Sequence, residues 1–258
     1  MNEKLIVIPT YDEKENVQPI SRAIFHYLPD ADILFVDDNS PDGTGKILDS
    51  MAERDKRINV LHNPGKSGLG RAYVKGFKWA LERHYQYIFE MDADFSHDPA
   101  ELPNFINAIK NADLVLGTRY AGGIRVTNWP LNRLLLSITA AKYVRLITGM
   151  PVTDPTGGYK CYRRAVLEEI GLDRIMSNGY SFQVETTFYT WIMGFKITEI
   201  PITFTERHAG YSKLERAILR EALWIVWKLA LANRFKRRGG KIHPRSIVSK
   251  NVGEHDSK

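Results

Sequence analysis

Three groups of carboxylates stand immediately after short apolar runs, and they carry the most chemistry in the chain. Val-Ile-Pro-Thr-Tyr-Asp-Glu spans residues 7–13, Val-Asp-Asp-Asn-Ser spans 36–40, and Met-Asp-Ala-Asp spans 91–94. Gathered at one edge without partners, these acids would repel one another. A divalent cation, or donor groups on a nucleotide, would relieve that. Asp92 and Asp94 project to the same side if the extended backbone of 87–91 continues through them. Two carboxylates so placed, completed by substrate phosphates, suit Mg²⁺ or Mn²⁺, hard ions that prefer oxygen ligands. The competing reading is a pair of acids capping the helix that starts near Pro99. A second Asp-Ala-Asp, Asp30–Asp32, precedes its apolar run and reads as a solvated turn.

Other residues divide into decoys and candidates. Gly65-Lys66-Ser67 looks like the end of a phosphate-binding loop, but Val60 stands where that motif needs glycine. Gly68-Leu69-Gly70 lacks the third glycine of a dinucleotide fingerprint, where Tyr73 stands, so the stretch reads as a flexible loop before a helix. Arg119, just after the run Leu114–Leu116, would fork onto phosphate oxygens; a surface salt bridge is the alternative. Arg133 and Ser137, four apart, share a face of an amphipathic helix over Leu131–Met150. They would receive a lipid phosphate while neighbouring leucines meet its chain, or else form part of a core helix. Arg207 and Lys213 flank Gly210, whose tight turn would bring both to one anionic ligand. Glu185 is either a buried, paired acid or a sugar contact, Cys161 reads as core, and His97 and His208 read as loop residues.

The elements that must position these residues follow from the hydrophobic pattern. Leu5–Ile8, Ile33–Val36, Asn59–Leu61, Tyr87–Met91 and Leu114–Leu116 are apolar on both sides of the pleat, as strands buried on both faces should be. Helix-period segments near 15–28, 43–55, 69–83 and 99–110 lie between them. The alternation predicts an α/β, mostly parallel, doubly wound sheet flanked by helices. Ligands of such sheets bind outside the carboxyl ends of the strands, which is where the acids stand.

The chain has 258 residues, 43% apolar and 26% charged, a globular balance that excludes a wholly disordered chain. A single cysteine excludes an intrachain disulfide framework and a cysteine-rich zinc site. No run reaches the roughly 18–20 apolar residues of a spanning helix, and the N-terminus lacks a signal-peptide core. The net charge of +6 is unevenly placed, because residues 207–245 hold 11 Lys/Arg against 2 Asp/Glu. An acidic-tipped domain is thus joined to a basic arm that continues through Arg234, Lys236, Arg237 and Arg238, beside Trp224 and Trp227. That arm suits anionic headgroups, a solvated helix end being the alternative. Nucleic acid is not expected as a partner, since no recognised binding module interleaves aromatic and basic residues.

Taken in order, the motifs at 7–13, 36–44, 91–99 and Gly-Thr-Arg-Tyr at 117–120 resemble the family 2 glycosyltransferases of the GT-A fold. Among these they are nearest to the polyprenol (dolichol) phosphate mannose synthases, and the resemblance covers roughly residues 4–235. It implies that Pro9, Tyr11, Glu13, Val36 and Asp38 hold the base and ribose of GDP-mannose. Asp92, Ala93 and Asp94 would contact the metal and the donor phosphates. Many relatives have Gln where this chain has Ser96, whose hydroxyl is a shorter and weaker metal ligand. Arg133 and Ser137 match the expected acceptor-phosphate pair, and Arg119 would serve both the donor and the acceptor phosphate, with Arg119 and Asp94 closest to the chemistry. Arg207 and Lys213, in Phe-x-x-Arg-x-x-Gly-x-Ser-Lys, would grip the donor diphosphate, and 154–160 resembles the floor of the sugar pocket.

The implied reaction is inverting transfer of mannose from GDP-mannose to dolichyl or polyprenyl phosphate. The rivals are another donor, such as UDP-glucose, and a non-catalytic nucleotide- or lipid-binding subunit. The organisation expected is a catalytic domain over 1–205, a basic loop and amphipathic helix over 206–238, and a flexible tail over 239–258. The protein would sit peripherally on the cytosolic face of a membrane, of the endoplasmic reticulum or, in a prokaryote, the plasma membrane. A small membrane-anchoring partner subunit is a further implied partner.

Overall fold

The structure, a computed structural model, describes residues 2–175, 177–205 and 224–231. Strands β1 (Lys4–Thr10), β2 (Ala31–Asp37), β3 (Ile58–His62), β4 (Tyr87–Glu90) and β5 (Leu114–Thr118) fall where the apolar runs place them. Helices α1 (Val17–Tyr27), α2 (Thr44–Arg54), α3 (Leu69–Leu81) and α4 (Leu102–Ile109) alternate with them. A 3-10 turn, Pro99–Glu101, precedes α4, and the Asp98 carboxylate caps it by accepting from the Ala100 N–H at 2.9 Å. Beyond β5 come β6 (Val126–Thr127), α5 (Leu131–Thr148), β7 (Lys160–Arg163), α6 (Arg164–Ile170), α7 (Gly179–Ile192), β8 (Ile197–Pro201) and β9 (Phe204–Thr205).

The main sheet has seven strands in the order β3-β2-β1-β4-β7-β5-β8. Every pairing is parallel except those of β7, which runs antiparallel between β4 and β5. The sequence pattern explains the two-sided core. Leu5 and Val7 of β1 join one apolar cluster, together with α3, α6, α7 and the C-terminal part of α5. Ile6 and Ile8 point the other way, into a cluster built with α1, α2 and α4. A helix over 224–231 adds Ile225, Val226 and Leu229 to the first cluster.

Three expectations need correction. Asp32 is not in a solvated turn but in β2, half-buried, where it accepts from the Tyr85 hydroxyl and from Asn2, both at 2.8 Å. The strand before the Asp-Ala-Asp motif ends at Glu90 and the chain turns at residues 93–94, so strand alternation does not set the directions of Asp92 and Asp94. Helix α5 buries only Ala141, Val144 and Thr148, whereas Leu131, Leu135, Leu136 and Leu146 are exposed. Its apolar residues form no single inward stripe.

Candidate active site

The carboxyl tips of β1, β2 and β4 share one edge of the sheet, and each leaves it through a left-handed residue. Asp12 has φ +61°, Asn39 +58° and Phe95 +61°. Aspartate and asparagine tolerate this region, but a phenylalanine there stores backbone strain. Hydrogen bonds fix the tips to one another. Asp12 donates its N–H to Ser40 Oγ at 3.1 Å, and Glu13 donates its N–H to Thr44 Oγ1 at 3.0 Å, joining β1 to the start of α2.

Pro9 and Val36 are neighbours in the β1–β2 register. The Tyr11 ring is partly exposed and lies 3.7 Å from Lys66 Nζ. Buried Asp38 accepts four hydrogen bonds, from Asn63 Nδ2 (2.6 Å), Ser67 Oγ (2.8 Å), Ser67 N–H (2.9 Å) and Gly68 N–H (2.9 Å). The loop read as flexible is therefore latched to the β2 tip by a carboxylate. Asn63, not singled out in the sequence, and Lys66, there set aside as part of a decoy, contact Asp38 and Tyr11 at the same strand tips. The signal was available: Asn63 follows β3, whose carboxyl end lies beside that of β2.

At the β4 tip, Asp94 Oδ1 accepts from the Ser96 N–H at 3.0 Å, and Tyr73 Oη stands 3.5 Å from Asp92 Oδ1. Ser96 is buried, and its backbone is what contacts Asp94. His97 lies in the loop between β4 and the 3-10 turn, as expected, but its side chain is not solvated. It is buried, its Nδ1 accepts the Asp92 N–H at 3.1 Å, and its ring stacks on Tyr159 at 4.8 Å. Burial pushes the imidazole below its ordinary value, against the upward pull of Asp92 and Asp94. Beneath the motif, Tyr162 donates to Glu90 at 2.8 Å, and Lys160 donates to the Gln183 carbonyl and Thr186 Oγ1, each at 3.0 Å. Burial raises the Glu90 carboxyl and lowers the Lys160 ammonium to about 8.

Asp92 and Asp94 offer hard oxygen donors, with the Asp92 side chain 37% exposed. Among the described residues no three His, Cys, Asp or Glu gather in a metal-holding cluster. The protein would thus supply part of a coordination shell and leave positions for water and phosphate, which fits Mg²⁺ or Mn²⁺.

Arg119 is engaged within the protein. The side chain is buried and forked onto Asp154, Nε and one terminal nitrogen each at 2.7 Å, with Thr156 Oγ1 at 2.8 Å. Burial would raise the Asp154 carboxyl, but the charge and hydrogen bonds of Arg119 hold it below its ordinary 3.8. Its alternative reading, a surface salt bridge, fails because both partners are buried. The pair fixes the start of segment 154–160, and Glu199 of β8 braces it by accepting from the Thr153 and Asp154 N–H groups. Glu185 is the buried, paired acid, accepting from the Ser177 N–H at 3.1 Å. Cys161 is free and buried, as expected of core.

Two aromatic rings bring the acceptor-side candidates together. Tyr120 donates to Ser137 Oγ at 2.6 Å, the Arg133 guanidinium lies 4.5 Å from the Trp129 ring, and Arg119 lies 5.3 Å and 5.5 Å from Tyr120 and Trp129. Arg207, Lys213, His208 and the cluster Arg234–Arg238 lie outside the described residues.

A mostly parallel α/β sheet with carboxylates at the carboxyl ends of three strands, one of them in an Asp-Ala-Asp turn, has the architecture of a ligand-binding enzyme of the doubly wound class. The chain belongs to the family described as Glycosyl transferase family 2, whose sequence model matches residues 5–171. It is a glycosyltransferase. A polyprenol monophosphomannose synthase of Mycolicibacterium smegmatis is 45% identical over 240 residues, 92% of this chain and 91% of that protein. An undecaprenyl-phosphate mannosyltransferase of Micrococcus luteus is 45% identical over 232 residues, 90% and 96% of the two chains. Among solved structures, glucosyl-3-phosphoglycerate synthase of Mycobacterium tuberculosis, in complex with Mn²⁺, UDP and phosphoglyceric acid, shares the fold. Its TM-score is 0.65 at 13% identity, covering 89% of this chain and 78% of that one. The fold is GT-A.

Proposed function

We propose that this protein transfers mannose from GDP-mannose to a polyprenyl or dolichyl monophosphate, with inversion at the anomeric carbon. The observation that carries the reading is the 45% identity, across nearly the whole length, with two proteins named for mannosyl transfer to polyprenyl phosphates. The site is consistent with it. Pro9, Tyr11, Glu13, Val36 and Asp38 would cradle the nucleoside, and Arg207 and Lys213 would grip the diphosphate. Asp92, Ala93 and Asp94 would meet the donor phosphates, the carboxylates holding a divalent metal whose charge stabilises the leaving GDP. Ser96 supports Asp94 through its backbone.

On the acceptor side, Arg133 and Ser137 would bind the lipid phosphate. The Tyr120 hydroxyl, by donating to Ser137, leaves the serine proton available for that phosphate. Arg119 would act by holding Asp154 and the sugar-pocket floor in place. The nucleophile is a phosphate oxygen that is already anionic near neutral pH, so positioning replaces deprotonation and no general base is required. The exposed leucines of α5, with Trp224 and Trp227, would rest on the membrane that carries the acceptor. A small anchoring subunit would strengthen that contact.

The test is incubation of the full chain with a short polyprenyl phosphate, Mn²⁺ and either GDP-mannose or UDP-glucose, with mass spectrometry of the lipid phase. A mannolipid formed only from GDP-mannose, and lost in Asp92→Ala, is expected. Turnover of UDP-glucose alone would overturn the donor, and no lipid product from either would overturn the acceptor.

A further inference from the structure

The last backbone bond that β1 gives to β4 is the Met91 N–H to the Val7 carbonyl, at 3.3 Å. One residue on, the Asp92 N–H has passed beyond strand pairing and is met by His97 Nδ1 instead. The histidine thus stands in for a neighbouring strand at the point where the chain leaves the sheet. A second bond, from the Ser96 N–H to Asp94 Oδ1, closes the same turn around left-handed Phe95. The imidazole is itself held from two sides. Tyr159 stacks on it with an interplanar angle of 18°, and Phe204 meets it edge-on at 5.8 Å. Tyr159 also donates its hydroxyl to the Asp98 carbonyl at 3.1 Å, and Phe204 packs edge-on against Trp129 at 5.5 Å.

We propose that His97 is the positioning residue of the Asp92–Asp94 turn, fixing through Nδ1 the direction in which the Asp92 carboxylate meets a divalent cation and diphosphate. The inference rests on the reading of Asp92 and Asp94 given above. A packing role and a positioning role make opposite demands on the side chain. If the ring only fills space, a phenylalanine replaces it well. If the acceptor atom matters, an asparagine replaces it better, because its amide oxygen can occupy the place of Nδ1.

Equilibrium binding of Mn²⁺ in the presence of GDP, followed by electron paramagnetic resonance, separates the two, with KM and kcat measured alongside. His97→Phe is expected to weaken Mn²⁺ binding about 10–100-fold and to raise the Mn²⁺ needed for turnover, while His97→Asn stays within about threefold of the unaltered chain. Phe binding Mn²⁺ as tightly as the unaltered chain, or Asn binding as weakly as Phe, would overturn the proposal. Failure of the unaltered chain to bind Mn²⁺ with GDP overturns the metal reading itself, and this inference with it. Amide exchange gives a measurement that needs no variant. The Asp92 N–H should exchange slowly although it lies outside the sheet, and fast exchange there would refute the bond to His97.

Discussion

Arg119 and Asp154 are each other's counter-ion in a place that water does not reach. Removing one partner leaves the other charged and buried, which typically costs about 3–5 kcal/mol. Arg119→Met should therefore lower stability by an amount of that order in urea denaturation. The pH dependence has a definite sign. With Arg119 present, the Asp154 carboxyl lies below its ordinary 3.8, so its contribution is complete above that pH and fades only as pH falls further. In Arg119→Met the guanidinium is lost, and burial, the largest influence, is opposed only by the backbone N–H of residue 119 and the Thr156 hydroxyl; the folded-state value is expected to rise, and the variant to lose stability as pH rises from 4. The stability gap between the two proteins should accordingly narrow between pH 7 and pH 4; a constant gap would contradict the pairing. Residue types revealed the acids and arginines of this site, but not which of them face ligand and which face each other. His97 shows why. Nothing in its sequence neighbourhood distinguishes a solvated loop histidine from one whose Nδ1 holds a backbone amide, because its partners Tyr159 and Phe204 are 62 and 107 residues away.

The elements themselves were largely legible, since strands apolar on both faces and helices of ordinary period leave few alternatives. Close approaches between them were not. Gly76 of α3 illustrates the point: a Cβ there would stand 2.5 Å from Val7 Cγ1 and 3.4 Å from Val36 Cγ2. Helix propensity favours alanine over glycine by roughly 1 kcal/mol. Overpacking against a β-branched residue in a central strand costs about 1–3 kcal/mol, so the clash should win. Gly76→Ala is expected to lower the denaturation midpoint, and Val7→Ala in the same chain to recover part of the loss that the clash alone causes. A midpoint raised by Gly76→Ala would mean that α3 can move off the sheet. Helix α5 is a different case. The core-helix alternative does not fit it, because the exposed Leu131, Leu135, Leu136 and Leu146 belong to a face that the rest of the described chain does not cover.

On the scale of the whole molecule, apolar exposure and positive charge go together. Residues 119–153 contain no Asp or Glu, and the exposed Trp224, Trp227 and Leu231 lie in the helical stretch 224–231, whose described residues include one charged side chain, Lys228. No helix among the described residues is long and apolar enough to cross a membrane. Co-sedimentation of the full chain with anionic phospholipid vesicles should show binding that weakens with salt. Replacing Trp224 and Trp227 together by serine should reduce it at least about tenfold, given the area each indole would bury. A chain that stays in the supernatant at low salt would exclude this contact.

The insertion of β7 between β4 and β5 has a consequence for biosynthesis. The strands that carry the nucleotide-type tips, β1 to β4, are complete once residue 90 has emerged from the ribosome, yet their sheet ends in an unpaired edge. That edge stays open until residues 160–163 arrive to pair with Tyr87–Glu90 on one side and Leu114–Leu116 on the other. For about 70 residues of synthesis the nascent chain therefore exposes a template for wrong pairing, and chains arrested in this window are the ones a cell's chaperones would have to guard.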